Sequence, residues 1–366
     1  MAVMPIAVRA NIVFIKVRVN QSEPLLFFLD SGCGATFVDS VVAKRLGLSA
    51  KGNVRVDGSG GASSAMALEP LTVRLPGLAA PLDGCMTTSL QSLRSQTGTN
   101  IQGILGSDFI GKGCMQIDYI HQRLTVMPSK SFVPGKNSQV LPIRIDQTPL
   151  ARLSLQTAAG TVVNGTFMVD TGTDEAVNLF KKFFEQNHLI GPKDHVLHTA
   201  SMGIANPSEN LLVRLPEVML GKQKLESVTA QVSLDEGDEG MQSELAGTIG
   251  NELLRRFLVT FDYLDHKLYL EPNSHLKDSF EADMSGVAMT IGPRGFVVQS
   301  VISDSPGAKA DILPGDLVLE LNGKKTTDYD LNALSSLLKE NGRTVTFVIE
   351  RAGKKLQKSF VLRRLI

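Results

Sequence analysis

The sequence predicts a mainly β protein. Two lobes related by an internal pseudo-twofold repeat, residues 1–130 and 140–274, are followed by a smaller α+β domain, residues 281–366. Three observations predict this. "FFLDSG", ending at Gly32, and "FMVDTG", ending at Gly172, each set an acid and a glycine straight after apolar residues. Segments before and after these loops recur in the same order at nearly the same spacing. Past Asp283 the repeat stops and a different pattern of short strands and helices begins. A chain of 366 residues is too long for one core, so several domains are expected.

The elements of the two copies follow in order. "MPIAVRANIVFIKVRVN" from Met4 matches "LPIRIDQTPLARLSLQT" from Leu141, and the alternation from Ile12 to Val19 reads as a strand. The acid loops come next, each followed by a short helical pattern, "VDSVVAKRLGL" in one copy and "EAVNLFKKFFEQNHLIG" in the other. "VRVDGSGGASSAMAL" and "HTASMGIANPSEN" occupy corresponding places further on. Each copy closes with "ILGSDFIGKGCMQIDYIHQRLTVMP" or "TIGNELLRRFLVTFDYLDHKLYLEP", so Asp118-Tyr119 matches Asp262-Tyr263. The acid stands 76 residues before the matched glycine in the first copy (Asp30 to Gly106) and 80 in the second (Asp170 to Gly250). "SDFIGK" and "NELLRR" read as short helices, and the polar stretch Ser129–Gln139 as the linker between copies.

A carboxylate at the end of an apolar strand is costly unless hydrogen bonds hold it. Ser31 and Thr171 offer hydroxyls, and Gly32 and Gly172 allow a tight turn that brings N–H groups to the carboxylate. A single loop of this kind could be an Asx turn ending a strand. At average residue usage, D-[ST]-G arises by chance about 0.2 times in such a length. Two copies at matched places in a repeat therefore point to a shared site. A twofold axis would set Asp30 beside Asp170, and two carboxylates about 3 Å apart share a proton. One then serves as general base on a water and the other as general acid, and the titration belongs to the pair. Such chemistry needs no metal, cofactor or covalent nucleophile.

Composition excludes other classes. Hydrophobic residues make up 43% and charged residues 20%, and the net charge is zero, which gives no reason to expect nucleic acid or an anionic membrane. Tryptophan is absent and tyrosine occurs four times, which argues against a base-stacking platform. No run approaches the length of a membrane span. The six histidines form no metal-binding spacing, and no GxSxG elbow or P-loop is present. Cys33, Cys85 and Cys114 include no CxxC pair; Cys33 reads as a small buried residue, and Cys85 could pair with Cys114 only in an exported chain. The N-terminus lacks a basic-then-apolar leader, so the expectation is a cytoplasmic protein, or an exported or periplasmic one from which a leader has been trimmed.

"FFLDSG" with "GILGSDFI", and "FMVDTG" with "GTIGNELL", resemble the aspartic protease superfamily that includes pepsin and the retroviral proteases. That family carries a hydrophobic-D-[ST]-G motif and a hydrophobic-hydrophobic-Gly step in each lobe. The short lobes are most similar to the retropepsin-like branch, here with two units fused, over about Pro5 to Pro272. The resemblance implies an acid-protease fold of two β-barrel lobes, catalytic Asp30 and Asp170, Ser31 and Thr171 bracing the loops through mutual hydrogen bonds, and a β-hairpin flap over the substrate. The flap candidate is the tip Gly58, Ser59, Gly60 and Gly61, which reads equally as an ordinary flexible turn, with His198–Asn210 as its counterpart. None of Tyr119, Tyr263, Tyr269 and Tyr329 stands where pepsin-like enzymes carry a flap tyrosine. Asp174 adds a third acid, expected to face solvent.

"GFVVQSVISDSPGAKADILPGDLVLELNGKKT" from Gly295, with the helix "YDLNALSSLLKE" and two closing strands, resembles a PDZ domain of the bacterial type. A PDZ domain takes an extended peptide as an added strand. The expected groove is Gly295, Phe296, Val297 and Val298, completed by Leu331 and Leu334 on the helix. The alternative is a domain that only docks on the lobes. The resulting expectation is an aspartic endopeptidase without cofactor or metal, monomeric for catalysis, taking a polypeptide in the cleft between lobes and a peptide or C-terminal tail on the PDZ domain. The competing expectation is a silent peptide-binding scaffold on the same fold.

Overall fold

The computed structural model describes residues 1–58, 61–202, 207–234, 244–329 and 331–366. The protein is mainly β, and its described residues form four sheets. The strand read from alternation, Ile12–Val19, has those bounds, and its residues from Ile12 to Ile15 are buried on both faces. It lies in a ten-stranded sheet between Leu25–Leu29, which ends at the first acid loop, and Leu71–Leu75. The second lobe is an eight-stranded sheet in which Thr148–Gln156 pairs with both Val162–Val169 and Pro207–Leu220. That double pairing closes the sheet on itself, and Arg144–Asp146 and Leu197–Met202 are left as its singly paired strands.

A six-stranded sheet joins the lobes in the order Ala2–Pro5, Arg123–Met127, Cys114–Asp118, Phe257–Asp262, Lys267–Pro272, Gln139–Pro142. Its register carries the twofold. Met115 pairs with Phe261 and Ile117 with Val259, so the axis runs through the matched pair Gln116 and Thr260. The Gln116 amide donates to Thr260 Oγ1 at 3.0 Å across it. At the two rims Pro5 pairs with Arg123 and Pro142 with Lys267, again matched positions of the repeat. One buried apolar cluster, from Ala2 to Phe280, fills both lobes and this shared sheet.

The expected helices form as short pieces: Ser40–Arg45, Lys181–Gln186, Ser107–Ile110 and Asn251–Leu254. Asp39 caps the first of them, accepting from Val41 N and Val42 N. A further helix, Gln91–Thr97, ends on Gly98 in the left-handed conformation and carries no apolar periodicity that would have announced it. Hairpins stand at both expected flap positions, Ala50–Gly58 with Gly61–Leu68 and Leu197–Met202 with Pro207–Leu220. Ser59 and Gly60 lie outside the described residues.

From Met284 a separate apolar cluster begins. It is built on the sheet Val287–Gly292, Gly295–Val301, Leu317–Leu321, Thr344–Arg351, Lys354–Val361 and the helix Leu331–Leu338. This domain touches the first lobe. Asn332 donates to Val8 O at 2.9 Å and accepts from Ala10 N at 2.5 Å, while Thr290 Oγ1 donates to Ser95 O at 3.3 Å.

Candidate active site

Each acid loop grows out of a parallel pair of strands. Leu25–Leu29 runs beside Gly103–Leu105, and Val162–Val169 beside Gly247–Ile249, in equivalent registers. Asp30 N donates to Leu105 O at 3.0 Å and Asp170 N to Ile249 O at 2.9 Å, which fixes where the strands stop and the loops turn. The glycine of the hydrophobic-hydrophobic-Gly step lies against the loop backbone. A Cβ at Gly106 would sit 2.4 Å from Ala35 O, and one at Gly250 2.4 Å from Glu175 O.

The two loops meet on the twofold. Ser31 N donates to Thr171 Oγ1, and Thr171 N to Ser31 Oγ, both at 3.0 Å. Each hydroxyl then donates onward to the other lobe, Ser31 Oγ to Val169 O at 2.7 Å and Thr171 Oγ1 to Leu29 O at 3.0 Å. Both residues are fully buried, so every one of these bonds is shielded from water. Gly32 and Gly172 face the opposite carboxylates: a Cβ on either would lie 2.5 Å from the Cγ of Asp170 or Asp30. Only hydrogen at these positions lets the two acids approach.

Asp30 and Asp170 are therefore neighbours, joined by a side-chain hydrogen bond and partly open to solvent. Burial pushes the Asp30 carboxyl well above the usual range, and the charge of Asp170 pushes it further. Burial also raises Asp170, opposed by the Gly172 N–H, which donates to Oδ1 at 2.7 Å, and by the proton shared with Asp30. Both shifts favour a proton held between the two carboxyls. Cys33 lies beside it, and burial together with the Asp30 charge pushes its thiol well up, so it is no thiolate nucleophile. Asp174 is exposed, and its carbonyl accepts from Asn11 Nδ2 at 3.1 Å.

Four residues that sequence reasoning gave no role stand directly behind the loops. Ser107 Oγ donates to Ser31 O at 2.7 Å, and Asn251 Nδ2 donates to Thr171 O at 2.7 Å. Tyr263 lies 2.9 Å from Ser107 Oγ, and Tyr119 donates to Asn251 Oδ1 at 2.7 Å. The matched Asp-Tyr pairs carried the signal, but only as a mark of the repeat.

The expected PDZ groove needs correction. Phe296, Val297 and Val298 pair with Ile291, Thr290 and Met289 on one side, and Phe296 and Val297 with Val318 and Leu317 on the other. A strand paired on both sides cannot accept a third, and Phe296, Val298 and Leu334 are buried in the domain core. Gly295 is buried in the same turn, with a Cβ there 2.4 Å from Val318 O. The side chain of Leu331 lies outside the described residues. The edge strands are Val287–Gly292 and Lys354–Val361, and the first of these carries the Thr290 contact to Ser95.

Residues 15–109 match the family model described as aspartyl protease, and residues 297–351 that of the PDZ domain. The carboxy-terminal processing protease CtpB of Bacillus subtilis (strain 168) is 31% identical over 103 residues, 28% of this chain and 21% of that protein. The chain thus spans about a fifth of that relative's length. The crystal structure of an aspartic proteinase from Irpex lacteus superposes with a TM-score of 0.48 at 16% identity, over 76% of this chain and 98% of that one. An aspartyl protease-like region followed by a C-terminal PDZ domain is what the chain carries.

Proposed function

We propose that the chain is an aspartic endopeptidase that cleaves extended polypeptide with water activated between Asp30 and Asp170. The observation that supports this best is the reciprocal brace: Ser31 and Thr171 lock two acid loops together so that each glycine lies against the other loop's carboxylate. A catalytically silent scaffold would have no need of two carboxyls held against their own repulsion. In the singly protonated pair, the ionised carboxylate takes a proton from the water as it attacks the peptide carbonyl. The protonated partner donates toward the carbonyl oxygen, and a proton then passes to the leaving nitrogen. Both carboxyls come from one chain, so catalysis needs no second copy. The hairpins Ala50–Gly58 with Gly61–Leu68 and Leu197–Met202 with Pro207–Leu220 are the covers over a substrate lying between the lobes.

The PDZ domain in this reading binds peptide by strand addition at the edge Val287–Gly292. The contacts of Thr290 and Asn332 with the first lobe support a docking role as well, since they engage both that strand and the helix beside it. The test is cleavage of a denatured protein from about pH 3 to 8, wild type beside Asp30→Asn and Asp170→Asn. Each variant is expected to lose about 10²–10⁴-fold in rate. Cleavage that survives both substitutions would sink the mechanism.

A further inference from the structure

We propose that Tyr119 and Tyr263 are positioning residues for the acid pair, each reaching across from one lobe to fix the peptide plane that faces the carboxylates in the other. The inference rests on the reading of Asp30 and Asp170 as the reacting pair. Its starting point is the Asp-Tyr motif shared by the two copies, Asp118-Tyr119 and Asp262-Tyr263, which the dyad chemistry leaves unused.

The proton directions follow from chemistry. Thr171 O and Thr173 O are acceptors only, and both receive Asn251 Nδ2, at 2.7 and 3.1 Å. The Asn251 amide is thereby oriented, its Oδ1 turns to Tyr119, and the Tyr119 hydroxyl must donate to it. Ser31 O likewise takes the single proton of Ser107 Oγ, so the Tyr263 hydroxyl must donate to Ser107. All four side chains are buried, so no water replaces a missing hydroxyl cheaply.

These chains end on the dyad. Thr171 C=O and Gly172 N–H belong to one planar peptide unit, and so do Ser31 C=O and Gly32 N–H. In a trans peptide the two bonds point in opposite directions. Gripping the carbonyl from behind therefore aims the N–H forward. Gly172 N–H meets Asp170 Oδ1 at 2.7 Å, and the Gly32 N–H favours the ionised form of both acids. The other titratable groups facing the pair are Glu175 on the second loop and Cys33 on the first, with Asp108 behind Cys33 and Tyr263 itself at the rear.

Removing a tyrosine hydroxyl loosens the grip and weakens the N–H bond to the ionised carboxylate. The lower apparent pKa of the pair should then rise. The experiment is a ¹³C NMR titration of the aspartate carboxyls in wild type, Tyr119→Phe and Tyr263→Phe, with the pair assigned by Asp30→Asn and Asp170→Asn. Each phenylalanine variant is expected to raise the lower apparent pKa by roughly half a unit, the size of one modest hydrogen bond. The acid limb of the pH–rate profile should move up with it. Gln116→Met serves as the control. It removes the bond to Thr260 in the same interlobe sheet and touches neither loop. No shift in either tyrosine variant would overturn the proposal, and so would an equal shift in Gln116→Met. If the titration moves as expected but no form cleaves a polypeptide, the proposal stands and the endopeptidase reading fails.

Discussion

The two acid loops share a skeleton and differ in everything around it. In both, a strand ends at an aspartate, a hydroxyl braces the opposite loop, and a glycine receives the opposite carboxylate. Beyond that the lobes part. In the first, Asp108 opens the short helix behind the loop and accepts from Thr36 Oγ1 at 2.7 Å, and burial holds its carboxyl above the usual range. In the second, Glu252 takes that place beside Arg255 and Arg256. Burial pushes Glu252 up, but the hydrogen bond and charge of Arg255, with Lys339 and Arg256, hold it below the usual range. Arg256 is fully buried, donates to His275 O and Asp278 O at 2.9 Å, and lies 3.6 Å above the Phe280 ring. The twofold thus persists where the chemistry needs it. It ends where the second lobe must anchor the segment that leads into the PDZ domain.

The sharpest way to break this comparison is to neutralise the matched acids. Glu252→Gln leaves the buried Arg256 guanidinium with a weakened partner, and losing one member of a buried ion pair costs about 3–5 kcal/mol. Asp108→Asn keeps an acceptor for Thr36 Oγ1 and loses only the charge, so it should cost about 1 kcal/mol or less. Denaturant unfolding of the two variants measures the difference, and equal losses would mean that the charge asymmetry carries no structural weight.

The glycines test the shared part. Gly32→Ala and Gly172→Ala each drive a methyl to 2.5 Å from a carboxyl carbon, so the acids must separate. Displacements near 1 Å in a catalytic group cost on the order of 100-fold in rate. Because the two contacts are equivalent across the axis, the two variants should lose activity alike in steady-state cleavage. A tenfold disparity would show that the skeleton is less symmetric than its geometry.

Much of that skeleton was legible in the sequence. The matched motifs pointed to the meeting of Asp30 with Asp170, because motifs recurring in one order constrain long-range geometry in a way single elements do not. The strand Ile12–Val19 was readable to its ends from alternation alone. Tyr119 and Tyr263 were visible as pattern but not as partners, since their hydrogen bonds span 132 and 156 positions and no local rule reaches so far. The PDZ groove was misplaced for a related reason. The Gly-Phe strand carries the recognisable residues, yet which strand is an edge depends on the pairing order of the whole sheet. Helix Gln91–Thr97 was missed because it is seven residues long and polar on most of its surface.

The smallest effect contrasts the site with an ordinary buried acid of the same lobe. Asp30 has a pKa raised by burial and by Asp170, against about 3.9 in an unfolded chain. Between those two values the folded protein keeps a proton that the unfolded chain has lost, so stability falls as pH rises through that window. Asp39 works the other way. Its burial alone would raise it, but the hydrogen bond and charge of Arg94, 2.7 Å away, hold it low, so its contribution is present above the unfolded value and fades as acid protonates it. At neutral pH, Asp30→Asn should therefore stabilise the protein by about 1 kcal/mol or more, a gain that shrinks toward pH 4. Asp39→Asn should destabilise it by a similar amount over the same range. Thermal melts of both variants from pH 4 to 8 give the two slopes. Slopes of the same sign would mean that Asp30 and Asp170 are not held against their mutual repulsion, and the shared proton on which the mechanism depends would have no structural basis.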